Sequence, residues 1–161
     1  MILLVMGVTG SGKTTAGMLL AQSLGWLFLD ADNFHPAENI EKMKHGVPLT
    51  DEDREPWLAA IHAELLRCAA KNEDVVLACS ALKQSYRETL ASGVDLRICY
   101  LKGTYSEIKS RLEKRGGHFA GESILAGQFA DLEEPRDALV IRVNETPEEI
   151  VQHALRKLNL G

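Results

Sequence analysis

Apolar residues gather in five short runs along the chain, separated by stretches with a slower rhythm. The runs are Ile2 to Met6, Trp26 to Leu29, Val75 to Cys79, Leu96 to Leu101 and Ala138 to Val143. The first is continuous, as in a strand buried on both faces. After Lys13 the apolar positions Ala16, Leu19, Leu20 and Leu24 recur at helical spacing, and Ile150, Val151, Ala154, Leu155 and Leu158 do so near the end. Helix starts are marked by Thr104-x-x-Glu107, by Thr146-Pro147-x-Glu149 and by the acidic stretch Thr50-Asp51-Glu52-Asp53. Strands alternating with helices predict an α/β three-layer sandwich around a five-stranded parallel sheet, one domain over residues 1–161. Ligands of such sheets bind beyond the carboxyl ends of the strands, so chemistry is expected there.

Composition narrows the partners. A 161-residue chain with 45% hydrophobic residues suits a single core. The net charge of −5 argues against a nucleic-acid or anionic-membrane surface, so an anionic substrate needs a local basic cluster. No stretch is long and apolar enough to span a membrane, and no secretory leader is apparent, which places the expected site of action in the cytoplasm. Cys68, Cys79 and Cys99 lack metal-ligand spacing and read as reduced core thiols.

The first strand leads into Gly7-Val8-Thr9-Gly10-Ser11-Gly12-Lys13-Thr14, which fits G-x-x-x-x-G-K-[ST] at every fixed position. Glycines let successive amides point into one concavity, and the following helix adds positive potential where phosphates sit. Gly7, Thr9, Gly10, Ser11, Gly12, Lys13, Thr14 and Thr15 are the expected nucleotide contacts, with Lys13 on the β- and γ-phosphates and the Thr14 hydroxyl on Mg²⁺. An Asn-Lys-x-Asp guanine motif is absent, which disfavours a GTPase switch.

The second strand delivers Asp30 and Asp32. One carboxylate can hold Mg²⁺ through water and the other can take or orient the proton of an attacking hydroxyl; Asp30 is assigned to the metal and Asp32 to the proton. His35 faces either a polar substrate or the next helix. Arg54 opens a helix against the dipole preference, as if for an anionic partner. Lys83 and Arg87, four apart, could clamp an anion from one helical face. Arg111 and Arg115 precede Gly116-Gly117, a pattern suited to a hinged lid spanning approximately residues 111–128 whose arginines meet charge on the transferred group.

These residues together resemble the bacterial gluconokinases. The resemblance runs through the phosphate loop, Asp30-x-Asp32-x-x-His35-Pro36, Asn39-Ile40-x-Lys42-Met43, Asp53-Arg54-x-Pro56-Trp57-Leu58, Cys79-Ser80-Ala81-Leu82-Lys83-x-x-Tyr86-Arg87, Gly117-His118-Phe119 and Gln128-Phe129-x-x-Leu132-Glu133. It implies a P-loop kinase of the nucleoside-monophosphate-kinase-like branch. It further implies ATP- and Mg²⁺-dependent phosphorylation of D-gluconate at its C6 hydroxyl, within gluconate catabolism, and often a homodimer. Gluconate is a polyol with a carboxylate. Arg54, Lys83, Arg87 and His118 would then hold the carboxylate, Asp32, His35 and Lys42 the hydroxyls, and Lys13, Asp32 and Arg115 would carry the catalysis.

Overall fold

The computed structural model describes residues 1–116 and 121–159. Five strands, β1 (Ile2–Met6), β2 (Leu27–Asp30), β3 (Val75–Ala78), β4 (Leu96–Lys102) and β5 (Leu139–Arg142), form one sheet in the order β2-β3-β1-β4-β5, parallel throughout. The helices are α1 (Lys13–Leu24), α2 (Ala37–Lys44), α3 (Asp51–Ala70), α4 (Gln84–Ala91), α5 (Tyr105–Gly116), α6 (Glu122–Asp131) and α7 (Pro147–Lys157), with a 3-10 turn at Ala31–Phe34. Since β3 inserts beside β1, the loop leaving β1 opens at the middle of the sheet, flanked by the exits of β3 and β4.

The alternation along β1 shows why it is apolar throughout. Leu3 and Val5 face one way and pack with Leu20 of α1, Ile141 of β5 and Ile150 of α7. Ile2, Leu4 and Met6 face the other way, onto Ile61 and Leu65 of α3 and Leu90 of α4. A strand covered by helices on both sides has no solvent face to carry polar residues. The expected strand start at Trp26 moves to Leu27. The Trp26 amide instead bonds Ala21 O at 2.9 Å, closing the end of α1 rather than joining the sheet.

Thr146 and Glu149 form a reciprocal capping box at α7. The Thr104 and Glu107 pair makes the same two bonds at α5. Thr50 and Asp53 form a third box at α3, with bonds of 3.1 and 2.9 Å. The three thiols are free and buried, and burial pushes those of Cys79 and Cys99 up to about 12. Among the described residues no helix is long and apolar enough to cross a membrane, and no group of three or more His, Cys, Asp or Glu could hold a metal.

Candidate active site

The loop after β1 takes its shape from two left-handed residues, Gly10 at φ 79° and Gly12 at φ 90°. A side chain at either would be strained, and at Gly10 a Cβ would lie 2.8 Å from Leu112 of α5. Gly12 is the N-cap of α1 but supplies no side-chain acceptor, so the first-turn amides stay open for an anion. The Ser11 hydroxyl is fully buried and has no hydrogen-bond partner among the described residues. Among the described residues the Lys13 ammonium donates one hydrogen bond, to the Val8 carbonyl at 3.5 Å. Burial pulls its pKa below the usual lysine value, opposed by Asp32, Cys79 and Asp30. A partly buried cation beside the open first-turn amides of α1 is a socket for phosphate.

Beside it, Asp30 is held in place by two donors. Its Oδ2 accepts the Thr14 hydroxyl at 3.4 Å and its Oδ1 accepts the Asp32 amide at 3.0 Å. This pair of hard oxygen donors at the phosphate loop suits Mg²⁺ held partly through water. Asp32 itself is exposed and shares a cavity of about 380 Å³ with Lys13, Thr9, His35, Arg54 and Trp57. The two acids therefore face different partners, Asp30 the Thr14 hydroxyl and Asp32 the cavity.

His35 stacks on Trp57 with centroids 4.5 Å apart and an 8° interplanar angle. Trp57 is fixed in turn by its Nε1–H bond to Ala31 O at 2.8 Å. Burial lowers the His35 pKa, with Asp32 opposing and Arg54 adding to the shift, which favours the neutral ring. The Asn39 NH₂ donates to Asp53 O at 2.8 Å and lies 3.3 Å from His35 Nδ1. Nδ1 must then accept, which puts the ring proton on Nε2 as a donor. Arg54 is half-buried in the same cavity, bonded to the Tyr86 hydroxyl at 2.8 Å and to Asp131 at 3.2 Å.

Other expected site residues are engaged elsewhere. Lys42 pairs with Asp53 at 2.8 Å, and Lys83 pairs with Asp51 at 2.9 Å above the Tyr86 ring. Arg87 is buried and donates to the Ala81, Leu82 and Glu133 carbonyls at 2.7, 3.0 and 2.7 Å. Lys83 and Arg87 thus diverge rather than converge on one anion. Arg111 lies against the phosphate loop, bonded to Gly10 O at 3.1 Å and Val143 O at 3.0 Å. Arg115, one turn further on, and Thr15 on α1 are exposed. His118 and part of the expected lid lie outside the described residues.

A phosphate socket beside an acid-lined cavity is common to many kinases, and comparison with known proteins narrows the field. The shikimate kinase family model matches residues 9–159. The gluconokinase of Gluconobacter oxydans is 46% identical over 159 residues, covering 96% of this chain and 89% of that one. The thermoresistant gluconokinase of Escherichia coli is 40% identical, covering 99% and 94%. A crystal structure of a gluconokinase from Sinorhizobium meliloti superposes with a TM-score of 0.88 at 44% identity, covering 98% and 90%. The chain belongs to the gluconokinase family. A shikimate kinase of Aquifex aeolicus, at 17% identity and a TM-score of 0.60, shares the fold alone. Membership in the P-loop kinases brings ATP use with it.

Within this gluconokinase scaffold, α6 supplies cavity residues of which the motifs had singled out Gln128 alone. Ile124, Gly127, Gln128 and Asp131 recur at three- and four-residue spacing and all line the cavity. Gln128 Oε1 accepts the Thr9 amide at 2.7 Å, joining α6 to the phosphate loop. The helical spacing was visible in the sequence. Nothing in it marked this face as a ligand wall rather than as core. Ser80 and Leu82, at the exit of β3, complete the opposite side.

Proposed function

We propose that this protein transfers the γ-phosphoryl group of ATP to the C6 hydroxyl of D-gluconate. The observation that carries the reading is the shared cavity of Lys13 and Asp32, set in a chain 40% or more identical to gluconokinases over nearly its full length. Thr14 and Asp30 would hold Mg²⁺, which neutralises charge on the phosphates and aligns them. Lys13, the loop amides and Arg111 meet the negative charge of the transferred group, and Arg115 joins them from the expected lid. Asp32 accepts the hydrogen bond of the attacking hydroxyl and takes its proton as the new phosphorus–oxygen bond forms and the bond from the γ-phosphorus to the bridging oxygen breaks, releasing ADP. Positioning matters more than basicity here, because the nucleophile is little deprotonated in a loose transition state.

The acceptor contacts divide by chemistry. Arg54 is the cation within the cavity best placed for the sugar-acid carboxylate, while the His35 Nε2–H and Asp32 suit hydroxyls. Lys42, Lys83 and Arg87 support those groups from behind, through Asp53, Asp51 and the Ala81–Leu82 backbone. The partner is therefore a small anionic polyol; the family resemblance alone supports a homodimer acting in the cytoplasm, and light scattering on the purified protein tests the dimer. An ADP-release assay across D-gluconate, its epimers and shikimate tests the reaction, with phosphorus NMR locating the ester. Faster turnover of shikimate than of gluconate would overturn the reading.

A further inference from the structure

The carboxamide of Gln128 has one defined orientation. Its partner at 2.7 Å is the Thr9 backbone N–H, which can only donate, so the group facing it must be the amide oxygen. The NH₂ is then directed away from the loop. It bonds no other group among the described residues, and Gln128 lines the cavity that Asp32, His35 and Arg54 share. This cavity side of Gln128 can only donate, whereas Asp32 and Asp131 can only accept while ionised. A polyol hydroxyl carries one proton and two lone pairs. It is held in a unique orientation when one neighbour accepts and another donates.

We propose that Gln128 is a specificity-determining residue, whose side-chain NH₂ donates to a hydroxyl oxygen of the polyol acceptor while its oxygen stays on the phosphate loop. The inference rests on the gluconokinase reading and extends it. One rigid amide then spans the two halves of the reaction: Thr9 in the loop that grips the nucleotide, and the acceptor in the cavity. A site with a fixed donor rejects an analogue lacking the matching oxygen, because the donor is left unpaired.

The test pairs Q128E with a series of monodeoxy gluconates. Glutamate keeps an oxygen for the Thr9 amide and replaces only the NH₂, so the link between α6 and the loop survives. KM and kcat are measured for gluconate and for each deoxy analogue, with wild type and variant side by side. The expected result is that one analogue raises KM about tenfold with wild type, while Q128E no longer distinguishes that analogue from gluconate. The added charge affects every acceptor alike, so the loss of discrimination is specific to the hydrogen bond. If Q128E keeps the wild-type KM for gluconate, or discriminates the whole series as wild type does, the inference fails and Gln128 is only a tether. If wild type does not phosphorylate gluconate, the underlying reading fails first, and this inference with it.

Discussion

Arg54 of α3 and Asp131 of α6 meet at 3.2 Å across the acceptor cavity, and the arginine is steadied from behind by the Tyr86 hydroxyl at 2.8 Å. Tyr86 in turn bonds Asp51, which pairs with Lys83. The cation is thus held in position before an acceptor arrives, and holding it costs the acceptor little ordering entropy. Arg54→Met should raise KM for gluconate about 10- to 100-fold, the scale of a charge-assisted hydrogen bond at 1.5–3 kcal/mol, with kcat changed less. Steady-state kinetics separate the two parameters. An unaltered KM would move the carboxylate elsewhere in the cavity.

Lys13 and Asp32 should fail in different ways. Lys13→Ala removes charge from the transferred group and should lower kcat by about 10²- to 10³-fold. Asp32→Ala should lower kcat by about 10²- to 10⁴-fold while leaving nucleotide binding intact. Titration with a non-hydrolysable ATP analogue reads the binding directly. Near-normal turnover by Asp32→Ala would remove that carboxylate from its role.

Arg87 contributes to stability through its bonds to three backbone carbonyls. One of these belongs to Ala81, whose φ of 45° is left-handed and strained for a residue with a side chain. Arg87→Met leaves buried carbonyl oxygens without donors and should cost about 3 kcal/mol. For a chain of this size that corresponds to a fall in Tm of roughly 6–12 °C. Thermal melts followed by circular dichroism give the number. A stable variant that had lost gluconate affinity would return Arg87 to the substrate clamp.

Acid should weaken α3 at its first turn. The Lys42 ammonium and the Thr50 backbone amide hold the Asp53 carboxyl down at about 2, below its ordinary value of 3.8. Because the folded pKa is the lower one, the stabilisation is present in full above about pH 4 and is lost as pH falls toward 2. Asp53→Asn should flatten the fall of Tm across that window. If variant and wild type lose Tm equally there, the pairing contributes nothing measurable.

Gly127 sits in the middle of α6 on the cavity wall, and a Cβ built there meets nothing within 4 Å. Gly127→Ala should therefore stabilise the fold by up to about 1 kcal/mol through helix propensity, without steric penalty. A larger side chain projects into the acceptor space. Gly127→Val should raise KM for gluconate while Tm stays at or above the wild-type value, and denaturant titration with kinetics checks both. A Gly127→Val variant with full affinity would show that the acceptor sits away from α6.

The sequence by itself determined the phosphate socket, because a strand, a glycine-rich turn and a helix are local and their geometry follows from neighbouring residues. Asp30 and Asp32 belong to the same class: they follow a strand, and a parallel sheet puts all strand exits on one edge. The capping boxes at Thr104 and Thr146 were equally legible, being contacts across three residues. The resemblance motifs marked Arg54, Trp57 and Gln128 as belonging together without saying what each touches.

Only the tertiary structure decided which charges face the cavity. Lys83 and Arg87 look alike as two cations on one helical face. One turns outward to Asp51, and the other is buried among carbonyls that come from α4's own loop and from residue 133. Those partners lie up to 46 residues away along the chain, and periodicity carries no information about them. The Thr9–Gln128 bond spans 119 residues, so the wall that α6 lends to the cavity exists only once the sheet has brought the two ends of the chain together.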